Sequence, residues 1–181
     1  MTEPNTDEFG SKKITPVNWQ EPDEQAALWR QMTAVAKTEE EWAKLFLQPT
    51  LNSNVPAEIK KLLEVARAAM IYSWYYYPLA TLGMEQCYRL LDTGTRLRCE
   101  QAGISTKTAK KDGTELDTTF KENVAALMSR NIISAVDARR WEATRQLRNS
   151  SSHPKYRAIF DPGQAEGMMS SVVESLNELF P

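Results

Sequence analysis

An all-α fold, an antiparallel up-and-down helical bundle with an N-terminal helical extension, follows from three features of this sequence. Apolar residues return every third or fourth position over long stretches, the mark of helices with one buried face. No run alternates apolar and polar residues in the manner of a half-buried strand. Capping residues and breakers punctuate the periodic stretches as they would in helices joined by short connections. The 181 residues, 41 % hydrophobic and 25 % charged, suit one domain with a sizeable core and an ordinary surface.

Taken in order, residues 1–20 carry Pro4, Gly10 and Pro16 among polar neighbours, without an apolar period. An extended or disordered arm is expected there. Residues 21–53 are expected to form two short helices within the same domain as the bundle. Glu21-Pro22-Asp23-Glu24 places proline and acids where a first helical turn favours them. Ala27, Leu28, Gln31, Met32 and Val35 follow at helical spacing. Thr38, with Glu41 three residues on, reads as a capping box for the second helix. Trp42, Leu45 and Phe46 supply that helix with an apolar side.

The bundle is expected over 54–181. Ile59, Leu62, Leu63, Ala66, Ala69, Met70 and Ser73 step by three and four, and the pattern runs on through Leu82, Glu85 and Leu90 towards Gly103. A single rod over 56–102 would be about 70 Å long, too long for a compact domain of this size. Pro78 is therefore the expected break, with Gly94 a second weak point. Gly103 to Leu116 reads as a polar, mobile loop. Thr119-Phe120-Lys121-Glu122 is another capping box, opening a helix through Val124, Leu127 and Met128. A helix restarting near Ser134 carries Val136, Trp141 and Leu147 into Arg148. Asp161-Pro162-Gly163 caps the last helix, whose stripe is Ala165, Met168, Met169, Val172, Val173, Leu176, Leu179 and Phe180.

The net charge of −2 argues against nonspecific coating of nucleic acid or membrane. No signal peptide is visible and no apolar run is long enough to span a bilayer, so a cytoplasmic chain without membrane contact is expected. Cys87 and Cys99 are twelve residues apart on one helical stretch, about 18 Å along its axis, beyond disulfide reach. A zinc site would need more ligands than lie nearby, and no cofactor or metal is expected. Glycine-rich phosphate loops, nucleophile elbows and His-Glu-x-x-His are missing.

The chemistry gathers instead at Arg148-Asn149-Ser150-Ser151-Ser152-His153, which holds the only histidine of the chain. Pro154 pushes His153 out of the helical region, so a helix reaching Arg148 should give out across the serines. Histidine exchanges protons near neutrality, and arginine offers a permanently charged fork to phosphate oxygens. Those are the two groups needed to cut RNA without a metal: one moves protons, the other stabilises the charge on phosphorus. Between 137 and 157, six cations (Arg139, Arg140, Arg145, Arg148, Lys155, Arg157) face two acids (Asp137, Glu142), a local charge of +4. Arg145, Lys155 and Arg157 are the candidate phosphate contacts. Glu85 is a candidate orienting residue for His153 or Arg148, although a surface pair with Arg89 four residues on is the simpler account of it. Trp74-Tyr75-Tyr76-Tyr77 offers aromatic faces to bases. Four aromatics in a row point around a helix in all directions, however, and belong first to the core.

An all-α chain whose penultimate helix ends in Arg148-Asn149-x-x-x-His153 resembles the HEPN (higher eukaryotes and prokaryotes nucleotide-binding) superfamily over residues 56–180. The resemblance implies a HEPN-like bundle and metal-independent endoribonuclease activity leaving a 2′,3′-cyclic phosphate. It implies Arg148 and His153 as catalytic residues and Asn149 as the residue that positions them. It further implies a homodimer with a shared cleft, RNA as partner, a place in a defence or toxin-type system, and in some members a regulatory protein partner. One histidine per chain suits that arrangement, because a two-fold mate supplies the second. A toxin branch carries Tyr two residues after the His. Here Lys155 holds that place and Tyr156 comes one later, which departs from the branch. Other members bind RNA, nucleotide or protein without cutting, and a non-catalytic module is the alternative reading.

Overall fold

The computed structural model describes residues 11–32, 36–110, 113–134, 136, 138–144 and 162–181. The protein is mostly helical, and the elements run α1 (Glu24–Met32), α2 (Glu39–Leu47), α3 (Ala57–Tyr72), α4 (Pro78–Gln101), β1 (Lys107–Ala109), β2 (Glu115–Asp117), α5 (Phe120–Ser129), α6 (138–144) and α7 (Pro162–Leu179). No helix among the described residues is long and apolar enough to cross a membrane.

The long periodic stretch breaks where proline predicts. α3 ends at Tyr72, and α4 opens with Pro78 at its first position, where the missing N–H costs nothing. Gly94 does not break α4, which continues to Gln101. Its role is packing: a Cβ there would lie 2.5 Å from Leu176 Cδ2 on α7. Gly83 likewise leaves room for Met70 of α3, 2.8 Å from such a Cβ. Gly83 meets Met70 while Gly94 approaches Ile59, so α3 and α4 run antiparallel.

α4 is the axial helix. α3, α5 and α7 all pack on it, which explains why its buried set (Met84, Cys87, Leu90, Leu91, Thr95, Cys99) wraps well beyond one stripe. Ile59, Leu63, Ala66 and Met70 of α3 and Met169, Val172, Leu176 and Leu179 of α7 complete the core, as their spacing predicts. Trp42 and Phe46 bring α2 into the same cluster, and the Trp42 indole N–H donates to the Met70 carbonyl at 3.0 Å. The Arg67 guanidinium donates to the carbonyls of Phe46 and Pro49, satisfying the C-terminal end of α2. At the end of α7, the Asn52 N–H donates to Asn177 Oδ1 at 2.8 Å, and Asn177 Nδ2 donates to the Thr50 carbonyl at 2.9 Å.

Local signals decide most helix ends. Thr119 and Glu122 form the predicted capping box at α5. At α2 the box is displaced by one residue: Thr38 Oγ1 accepts from the Glu41 N–H, but the Glu41 carboxylate accepts from the Lys37 N–H. Gly103 ends α4 with φ +67, and the Ile104 N–H returns to the Cys99 carbonyl at 2.8 Å. Asn131 does the same after α5 at φ 56, with Ile132 N–H bonded to the Leu127 carbonyl.

Two further expectations need correction. The stretch expected to be a mobile loop after Gly103 contains an antiparallel hairpin, pairing Lys107 with Asp117, Thr108 with Leu116 and Ala109 with Glu115. Every one of its strand residues is exposed, so no face needed apolar residues and no alternation marked it. In α1, Leu28 of the expected apolar face is 52 % exposed, while Asp23 and Ala26 are buried; Val35 and the Met32 side chain lie outside what the structure describes. Among the described side chains, α1 rests on a polar latch at the α3–α4 turn.

Candidate functional site

Arg145, Arg148, Asn149, His153, Lys155 and Arg157 lie outside the described residues, and the structure gives the frame on either side of them. On the incoming side, α6 is fixed by Ala138 and Trp141, both buried, and the Trp141 ring stacks on Phe120 with centroids 6.0 Å apart. The Thr144 hydroxyl donates to the Arg140 carbonyl at 3.1 Å, a local bond that tends to bend a helix at this position. On the outgoing side, α7 opens with Pro162, and its first buried residues are Ala165 and Met169. The stretch 145–161 is thus attached at both ends to side chains locked in one core.

The electrostatics of that frame differ from the linear charge count. Arg139 is exposed, but Arg140 reaches across to α7, where its guanidinium lies 3.2 Å from a carboxylate oxygen of Glu178. Glu178 is far from Arg140 in sequence and beside it in space, so it offsets that one cation. Glu178 also borders a shallow cleft with Ser175, Ile132, Ile133, Trp141 and Leu179, whose volume of about 20 Å³ suits a water molecule. A nucleotide needs far more room.

Glu85 is exposed on α4, as is Arg89, and the two form no ion pair. Of the aromatic run, Trp74 and Tyr77 are buried and Tyr75 and Tyr76 half-buried. Trp74 lies 6.1 Å from Trp42 on one side and beneath the Arg30 guanidinium, 4.4 Å from its ring centre, on the other. Cys87 and Cys99 are free and buried. Burial pushes the Cys87 thiol up to about 12, and burial followed by the neighbouring Glu100 charge raises Cys99, so neither supplies a thiolate. Among the described residues no group of three or more His, Cys, Asp or Glu side chains is placed to hold a metal ion.

Asp23 is the buried charge that sequence reasoning treated only as part of a helix start. It is 1 % exposed; its Oδ1 accepts from the Ala26 N–H at 2.6 Å and its Oδ2 from the Tyr77 N–H at 2.9 Å. Burial pushes its carboxyl above the ordinary range, outweighing those two N–H groups and the charges of Lys12 and Arg30, which act in the opposite direction. The signal that would have found half of this role is local: an Asp three residues before Ala26 is a favourable N-cap. The other half, a bond to Tyr77, has no local signature.

No family model, no curated protein and no solved structure matches this chain.

Proposed function

We propose that this chain is a HEPN-like endoribonuclease that cuts RNA without a metal and acts as a cytoplasmic homodimer. The observation that carries the reading is the placement of Arg148-Asn149-x-x-x-His153 in an all-α chain, in the stretch between α6 and the terminal α7. An imidazole removes the proton of a ribose 2′-hydroxyl, and the 2′-oxygen attacks the adjacent phosphorus. The bond from phosphorus to the 5′-oxygen breaks, and that oxygen leaves with a proton from a second imidazole. The products are a 2′,3′-cyclic phosphate and a 5′-hydroxyl. One imidazole cannot serve as base and acid in the same step, so the second comes from a two-fold mate. Arg148 stabilises the charge that builds on phosphorus, and Asn149 positions the pair. Arg145, Lys155 and Arg157 hold flanking phosphates, with Glu85 an orienting residue for His153 or Arg148. Trp141 and the α7 stripe support the reading by anchoring the ends of this stretch to a rigid bundle.

The test is cleavage of single-stranded RNA in EDTA by wild type, His153→Ala and Arg148→Ala. Each substitution is expected to lower the rate by about 10²-fold or more, and activity per subunit is expected to fall on dilution as dimers dissociate. Equal cleavage by all three proteins would defeat the assignment. Salt-sensitive RNA binding without cleavage, unchanged by His153→Ala, would assign the chain to the non-catalytic alternative, a module binding RNA, nucleotide or protein.

A further inference from the structure

Internal hydrogen bonds tie the segment 11–32 together. The Lys12 ammonium, buried despite its charge, donates to the carbonyls of Asn18 and Glu21. Thr15 N–H donates to Asn18 Oδ1 at 2.8 Å, Asn18 N–H returns to the Thr15 hydroxyl, and Asn18 Nδ2 donates to the Lys13 carbonyl. The Ser11 hydroxyl reaches Gln25 on α1 at 3.4 Å, so turn and helix form one body. A buried ammonium with carbonyl partners is costly to strip, which makes this body hold together.

Its attachment to the bundle is of another kind. The Asp23 N–H donates to the Tyr75 carbonyl at 2.9 Å, and the Asp23 carboxylate receives the Tyr77 N–H. Ala26, Tyr77 and Ala80 form a small apolar cluster separate from the main core. The Arg30 guanidinium covers Trp74. Two small alanines and a tyrosine bury little apolar area compared with the core stripe of α7. Among the described residues, these hydrogen bonds, the ring contact and the small apolar cluster fall on one short run, Trp74 to Ala80, which is the tip of the α3–α4 hairpin.

We propose that residues 11–32 act as a detachable strap, latched by Asp23 to the tip of the α3–α4 hairpin and released as a unit while the bundle stays folded. Release uncovers Trp74, Tyr77 and Ala80 beside the already exposed Tyr72, turning a covered tip into an aromatic surface. Segments that open in this way sit at the low end of a protein's local stability and exchange their amide hydrogens independently of the core. The device does not rest on the nuclease reading, since every residue in it belongs to the strap or to the hairpin tip.

NMR-detected hydrogen exchange on the full chain tests it, using wild type, Asp23→Ala and Arg30→Ala. The reporters are the amides of Ala26, Ala27 and Tyr77, against α3 amides from Leu63 to Met70. In wild type the reporters are expected to exchange faster than the α3 amides. Asp23→Ala leaves two buried N–H groups without an acceptor, so reporter exchange should rise by about tenfold or more, with α3 exchange unchanged. Arg30→Ala should give the same pattern with a smaller rise. A common rate for reporters and α3 amides in wild type would overturn the proposal. So would an Asp23→Ala protein in which α3 loses protection together with the strap, or one in which the Tyr77 amide does not respond.

Discussion

α1 and α7 are both amphipathic helices carrying leucines and methionines, yet they attach to the molecule by different physics. α7 lays Ala165, Met169, Val172, Val173, Leu176 and Leu179 against α4 as a continuous apolar stripe, and Asn177 ties its end to residues 50–52. α1 turns Leu28 to solvent, and among the described side chains its contacts with the bundle are a carboxylate, an alanine and a guanidinium. A stripe gains free energy in proportion to buried area and resists local opening. A latch built from hydrogen bonds gains little net stability per bond and yields one contact at a time. Hydrophobic content alone does not say which attachment a helix will use; the geometry of the surface it meets does.

The same residue type on the two helices should therefore behave in opposite ways. Leu176→Ala removes a fully buried side chain at the α4–α7 contact and is expected to cost about 2–5 kcal/mol in a urea titration. Leu28→Ala should shift the same curve by less than about 0.5 kcal/mol. A comparable loss from both would show that α1 shares the core's cooperative unit.

Two glycines make a smaller contrast of sign. Gly94 is packed against Leu176, which is fully buried and has nowhere to move, so Gly94→Ala should destabilise by about 1–3 kcal/mol. Gly167 lies on α7 with open space where a Cβ would go, so Gly167→Ala should stabilise by about 0.5–1 kcal/mol through backbone entropy. Thermal midpoints moving in the same direction would contradict the α4–α7 packing described.

The smallest effect is electrostatic and belongs to the hairpin. The Lys107 ammonium lies 2.5 Å from Asp117, and its hydrogen bond and charge hold the Asp117 carboxyl below its ordinary value of 3.8. The same contact raises Lys107 above its ordinary 10.5. The sign differs at the two ends. Asp117's share of the pairing is present above 3.8 and lost as pH falls through its lowered value. Lys107's share is present below 10.5 and lost as pH rises through its raised value. Chemical shifts of residues 107–109 and 115–117 should stay flat across the neutral range and move only near these extremes. A transition close to neutrality would mean that another group governs the hairpin. Both side chains are exposed, so salt should mute the response.

How much of this was legible beforehand varies with the length scale of the cause. Thr119 with Glu122, Gly103, Pro78 and the α7 stripe announced themselves, because a cap, a stop, a break and an apolar period are each set within a few residues. The Glu41 carboxylate slipped by one donor, from the Thr38 N–H to the Lys37 N–H, a difference too small for sequence to resolve. The candidate site divides similarly. Arg148, Asn149 and His153 stand out as residue types in a pattern, and the serines with Pro154 raise the expectation of a helix end. The partner of Arg140 did not stand out, because Glu178 comes to it only through the α6–α7 packing.

The sequence by itself determined which segments are helical, where most of them begin and end, and which side-chain types stand at the candidate site. All of those depend on backbone preference, short-range capping and side-chain type. The tertiary structure alone decided that α4 lies at the centre, that Gly94 is a packing notch instead of a weak point, and that Asp23 fastens α1 to Tyr77. These depend on surfaces from distant segments meeting, and close packing between such surfaces is not encoded in any one stretch of either.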